Sequence, residues 1–231
     1  MAGLTGLEDA TENLNIGPLV SLNDFKECFA HDGKYGDNAQ NKWKSKTILI
    51  YKLGDNPFRK LENVPNMFGQ VVSPGKHAEI VLIEKIQTEI ENRRMRSQHP
   101  IHVKVEIYIS YSPCHDCSNT IVNFIEKCNR EWCIFDIKMN FSNFYKHYEC
   151  LRNSAGQHVP VHNEGLRKLL LKRVMLQPVT GKEKWENFLS ANGVPVQKQA
   201  DRLAIASSQE RITREVDDNN LFLKIYNSVF H

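Results

Sequence analysis

Two short stretches hold residue types that do chemistry together. His77-Ala78-Glu79 opens one segment, and Ser112-Pro113-Cys114-His115-Asp116-Cys117 opens another. One imidazole and two thiolates are a zinc ligand set, with nitrogen at about 2.0–2.1 Å and sulfur at about 2.3 Å. Three protein ligands leave the fourth tetrahedral position to water, as in catalytic rather than structural sites. Cys114 and Cys117 stand one helical turn apart, so both sulfurs can reach one ion, and a helix start favours their thiolate form. His77 completes the trio. Zinc brings the pKa of bound water from near 15.7 to about 7, which makes hydroxide available at neutral pH. Glu79 can approach that water without displacing a ligand and shuttle its proton.

Each stretch alone has a plainer reading. A lone His-Ala-Glu is common by chance, and a lone Cys-x-x-Cys is more often structural zinc or a redox pair. A structural site needs a fourth protein donor, and His115 is the nearest candidate, but it lies inside the Cys-x-x-Cys loop. In this order, with Pro113 before the first cysteine, the two stretches match the H-x-E plus P-C-x-x-C pattern of zinc deaminases.

The surrounding elements must bring two helix starts to one place. Ser21–Ala30 reads as a short helix capped by Ser21 or Asn23, and Thr47–Leu53 as a strand before the Gly54-Asp55-Asn56-Pro57 turn. An irregular strand region runs to about Val72. A helix follows from about His77 to Arg94, with Ile80, Ile83, Ile86 and Ile90 as its apolar face. Val103–Ser110 alternates as a strand, Cys114–Lys127 is helical, and Cys133–Met139 is a strand. Phe141–Tyr148 forms an aromatic loop. Leu166–Leu171 is helical, Arg173–Val179 a strand, Lys182–Asn192 a helix and Gln197–Val216 a last helix. Five strands interleaved with about six helices predict an α/β domain layered around a central mixed sheet. The expected organisation is an acidic arm over 1–20, one domain over 21–216 and a tail over 217–231.

Composition narrows the classes. Hydrophobic residues at 41% and charged residues at 25% exclude fibrous and disordered chains. No segment has the roughly 18–20 apolar residues of a membrane helix, so no membrane partner is expected. The first 24 residues hold four acidic and no basic side chains, so the rest carries +7 against a whole-chain +3. That surplus suits a polyanionic partner. Met1 to Asn15 lacks the basic and apolar regions of a secretory signal, so a cytoplasmic or nuclear location is expected. In such reducing compartments the six cysteines argue against a disulfide framework.

With these residues in hand, the chain resembles the AID/APOBEC family of polynucleotide cytosine deaminases. Ser110-Tyr111-Ser112-Pro113-Cys114-x-x-Cys117 is similar to that family's Ser-Trp-Ser-Pro-Cys-x-x-Cys element. Gly165-Leu166-Arg167 and the stretch from Trp185 to Leu189 are similar to further family elements, so the likeness spans roughly residues 21–216. It implies a cytidine-deaminase-like three-layer fold, Zn2+ held by His77, Cys114 and Cys117, and Glu79 as the acid/base. It also implies that the backbone of Ala78 and Ser112 meets the cytosine edge, and that residue 111 lines the pocket. Phe141, Phe144, Tyr145 and Tyr148 correspond to the loop that meets the base 5′ to the target. Tyr111 departs from the usual Trp, and Asn66 is the candidate for the pocket asparagine.

Single-strand binders combine basic grooves with aromatic platforms. Lys34, Lys42, Trp43, Lys44 and Lys46 in one loop, and Tyr145, Lys146 and His147 in another, offer both, although surface lysines are usually only solvated and Phe141 or Phe144 can equally be core. Arg93, Arg94 and Arg96 read as helix-end charges. Leu221-Phe222-Leu223-Lys224-Ile225 is similar to the leucine-rich export tail of some members, or packs on the body. The expected activity is hydrolytic, zinc-dependent conversion of cytosine to uracil in single-stranded DNA or RNA. A catalytically silent zinc protein that binds nucleic acid or a partner, and a deaminase of free (deoxy)cytidine, remain the alternatives.

Overall fold

The structure, a computed structural model, describes residues 17–31, 46–64, 76–96, 100–145, 151–152, 158–159 and 161–230. Five strands form one sheet in the order β2-β1-β3-β4-β7: β1 (Ile48–Leu53), β2 (Arg59–Glu62), β3 (Ile101–Ile109), β4 (Cys133–Phe141) and β7 (Met175–Pro178). β1 pairs antiparallel with β2 and β3, whereas β3–β4 and β4–β7 are parallel. Two short strands, β5 (Leu151–Arg152) and β6 (His158–Val159), pair by themselves.

Seven α-helices accompany the strands among the described residues: α1 (Leu22–Asp24), α2 (Ala78–Arg94), α3 (His115–Arg130), α4 (Val161–Leu171), α5 (Gly181–Ala191), α6 (Gln199–Ala206) and α7 (Gln209–Phe230). Ser21 caps α1, its hydroxyl accepting from Asp24 N at 3.0 Å, and the chain runs on as a π-helical turn over Phe25–Phe29.

Strand alternation sorts side chains into two cores, giving three layers. Leu49, Val103, Val105, Ile107 and Ile109 face α2, α3 and α4. Ile48, Ile50 and Tyr108 face Phe25, Phe29, Trp185 and Phe188 on the opposite side. With both faces covered, the end of β3 is buried at every position.

Pairing register fixes where the helices begin. Ile109 pairs with Leu49, and Ile48 pairs with Glu62, so the end of β2 lies beside the end of β3. α2 and α3 therefore both start at the carboxyl end of β3, where α/β sheets place their ligands.

Several expectations change. α2 buries Ile86 and Ile90 as expected, but Ala78 and Leu82 complete the buried face, while Ile80 and Ile83 are only partly buried. This four-residue repeat turns Glu79 inward as well, at 5% exposure. The expected helix over 197–216 is instead a 3-10 turn (Val196–Lys198), α6 and α7. The break falls at Ser207-Ser208, where the Ser208 hydroxyl accepts from Arg211 N at 3.2 Å and starts a new helix. α7 runs unbroken through residue 216 and buries Ile225 in the core beside α4, so this segment packs on the body.

Candidate active site

His77 is the N-cap residue of α2, with extended backbone at φ −68 and ψ 152. Cys114 is the N-cap residue of α3, and its Sγ accepts from Cys117 N at 3.5 Å. His77 Nδ1 lies 3.2 Å from Cys117 Sγ and 3.7 Å from Cys114 Sγ. The three donor atoms all fall within 4.8 Å of one another. A tetrahedral zinc would hold nitrogen and sulfur about 3.5 Å apart, so this donor set fits that ion. Among the described residues it is the one His/Cys/Asp/Glu group with such geometry.

The two thiols act on each other electrostatically. The hydrogen bond from Cys117 pulls the Cys114 thiol down to about 4, and the same bond, with burial and the nearby Glu79, pushes Cys117 well up. Glu79 Oε2 is buried with no hydrogen-bond donor among the described residues. Burial lifts this carboxyl to about 7. An orphaned carboxylate oxygen beside a ligand cluster is where a water or substrate proton would be received.

The mouth is built from loops at the ends of β3 and β4. Tyr111 is buried at 2% exposure, its ring edge-on to Tyr145 at 6.2 Å. Ser112 donates its N–H to Asn143 O at 2.8 Å, and its hydroxyl accepts from Tyr145 N at 3.0 Å. Ala78 is fully buried in the first turn of α2. Thus His77, Ala78, Glu79, Tyr111, Ser112, Cys114, Cys117 and Tyr145 converge on one end of the sheet. Trp43 and Asn66 lie outside the described residues, as do Lys34, Lys42, Lys44, Lys146, His147 and Tyr148.

Other expectations are redrawn. Phe141 and Phe144 are fully buried and pack together at 4.9 Å; they are core, because β4 extends to Phe141 and the chain turns inward after it. Lys46 is bound to Asp24 at 2.8 Å and Glu62 at 3.4 Å rather than held out as a basic contact. Arg93 and Arg94 tie the end of α2 to Glu89 and Glu131.

Sequence reasoning missed His162, Asn143 and Arg211. His162 Nδ1 accepts from His115 N at 3.0 Å, which holds α4 against the start of α3, and its ring stands edge-on to Tyr145 at 5.5 Å. No local pattern marks it. Gly165 makes the same junction close: a Cβ there would stand 2.9 Å from Ser118 Cβ and 3.1 Å from His115 Cα.

A family model for the APOBEC3 cytosine deaminase domain matches residues 24–211. No curated protein matches the chain. Among solved structures, the chain is similar to a dCMP deaminase from the cyanophage S-TIM5, in apo form and in complex with dCMP and dUMP. Each is 16% identical, covering 57% of this chain and 79% of that one at a TM-score of 0.32.

Proposed function

The chain belongs to the APOBEC3 cytosine deaminase domain family, and on that footing we propose that it hydrolyses cytosine to uracil in single-stranded DNA or RNA with Zn2+ as its cofactor. One observation carries the reading: a buried carboxylate with an orphaned oxygen, Glu79, stands next to three converging zinc donors.

His77, Cys114 and Cys117 would hold the ion, which supplies Lewis acidity and hydroxide at neutral pH. Glu79 takes the proton from the attacking water and passes it to the ring nitrogen N3. It then takes the remaining proton from the hydroxyl formed at C4 and delivers it to the amino group, the C4–N bond breaks, and cytosine and water become uracil and ammonia. Because the Ser112 N–H is committed to Asn143, its contact with the base falls to its carbonyl. The Ala78 backbone, in the first turn of α2, meets the opposite part of the cytosine edge. Tyr111 and Tyr145 wall the pocket.

Such a recessed centre cannot reach a base stacked in a duplex, and extruding one costs a few kcal/mol, which favours single strands. The positive balance of the chain beyond residue 24 supports a polyanionic substrate. Among the described residues no helix is long and apolar enough to cross a membrane. Five free cysteines among them suit a reducing cytosol or nucleus.

The test is an oligonucleotide uracil assay with purified, zinc-loaded protein. Glu79→Ala should keep its zinc and lose turnover by about 10²–10⁴-fold. Equal turnover in both proteins, or none from the zinc-loaded parent, overturns the reading.

A further inference from the structure

Arg211 is fully buried, the charged residue set deepest in the fold. It lies on α7, at the far end of the chain from the ligand helices. Its guanidinium donates to Ser142 O at 2.6 Å, Asn143 Oδ1 at 2.9 Å, His31 O at 3.1 Å and Glu215 Oε1 at 3.3 Å. It also lies over the Trp185 ring at 5.2 Å. Glu215 is fixed from its other side by Gly181 N at 2.8 Å and Trp185 Nε1 at 2.7 Å.

Asn143 converts that anchoring into geometry at the site. Its side-chain amide nitrogen donates to Ser110 O at 2.8 Å and to Cys28 O at 2.8 Å, and its backbone carbonyl oxygen accepts from Ser112 N at 2.8 Å. Ser142 Oγ adds a second bond to Ser110 O at 3.0 Å. The segment so gripped, 110–112, leads directly into Cys114, and Ser112 Oγ carries the Tyr145 backbone. One planar donor fork thus backs both loops of the mouth. A buried ion pair is weak as a stabiliser, because a well-packed apolar replacement often does as well. Its directional bonds are what an apolar side chain cannot reproduce.

We propose that Arg211 is a positioning residue, acting through Asn143 to fix Ser112 and Tyr145 against the reacting base. The inference rests on the deaminase reading for its turnover measurements and stands apart from it in its exchange measurements.

The experiment compares the zinc-loaded parent with Arg211→Lys, Arg211→Met and a control, Arg202→Lys. Arg202 is also buried and bonds Val20 O, remote from the site. Zinc per chain, melting temperature, kcat and KM on a cytosine-bearing single-stranded DNA oligonucleotide, and amide hydrogen exchange at Ser112 and Tyr145 are measured. Arg211→Lys should keep zinc, lose kcat by about tenfold with KM moving by less than about threefold, and exchange those two amides about tenfold faster. Arg211→Met, which keeps the packing and removes every directional bond of the fork, should move kcat and exchange in the same direction by at least about tenfold, and it decides the matter if Arg211→Lys does not fold. Arg202→Lys should lower the melting temperature and leave kcat and both amides unchanged. Parental kcat and parental exchange in folded, zinc-loaded Arg211→Lys, or in Arg211→Met if the former does not fold, overturn the proposal. Should the parent itself not turn over, the deaminase reading fails, and exchange alone decides the positioning role.

Discussion

Glu79 and His77 are separated by one residue; Glu79 is buried inside the first turn of α2, while His77, at the N-cap, brings Nδ1 against the thiols of Cys114 and Cys117. Asp24 shows the same economy at the edge of the fold. It bridges Lys46 at 2.8 Å and Lys60 at 3.6 Å, tying α1 to β2 and to the entry of β1. Burial alone would raise its carboxyl; the Lys46 hydrogen bond and charge, with Lys60 behind, outweigh that and hold it below its ordinary value of 3.8. The folded form therefore binds this proton less readily than the unfolded chain. The stability it contributes is complete above its ordinary value and is lost as pH falls through the lowered one. Urea unfolding between about pH 2 and 4 should show a steeper loss for the parent than for Asp24→Asn; parallel curves would refute the bridge. The convergence of His77, Cys114 and Cys117 was legible in the sequence because the two cysteines stand one helical turn apart and His77, like Cys114, sits at the start of a helix. Arg211 was not, because it meets Asn143 across 68 positions and His31 across 180, and nothing local tells a buried arginine from a solvated one.

Elements were legible where alternation or turn chemistry is strong. β3 and α3 came out within a few residues, since Val103, Val105 and Ile107 alternate and Cys114 marks a helix start. The face of α2 came out in its second half, Ile86 and Ile90, but not in its first, because isoleucines lie on both sides of the helix and only packing selects Ala78 and Leu82 over Ile80 and Ile83. Two element junctions give measurable consequences. At Gly165, α4 presses so near α3 that a methyl would meet the His115 backbone, which cannot rotate away. Gly165→Ala should lose about 1–3 kcal/mol in denaturant unfolding and weaken zinc retention; an unchanged midpoint would contradict the close approach. α4 ends in a Schellman motif, with Val174 N on Leu169 O at 3.0 Å and Arg173 N on Leu170 O at 2.9 Å. Arg173 takes the left-handed position there, at φ 61. Glycine adopts that conformation without the Cβ conflict, so Arg173→Gly should raise stability by about 1 kcal/mol, read as a higher unfolding midpoint with unchanged slope.

Across the whole molecule, the reacting end of the sheet is assembled from distant parts of the chain: α1, the ends of β2, β3 and β4, and α7. The helices that carry the ligands pack on strands near them in sequence, while the grip on the mouth loops waits for Arg211. A ribosome adds about 5–20 residues per second, and loop closure over long separations slows folding further. The nascent chain therefore holds its sheet, with His77, Cys114 and Cys117 at one end of it, before Arg211 is available to grip the mouth loops. In refolding followed by pulsed hydrogen labelling, the amides of Val105 and Ile137 should become protected ahead of those of Ser112 and Tyr145. Simultaneous protection of all four would mean that the last helix joins the folding nucleus instead of sealing it.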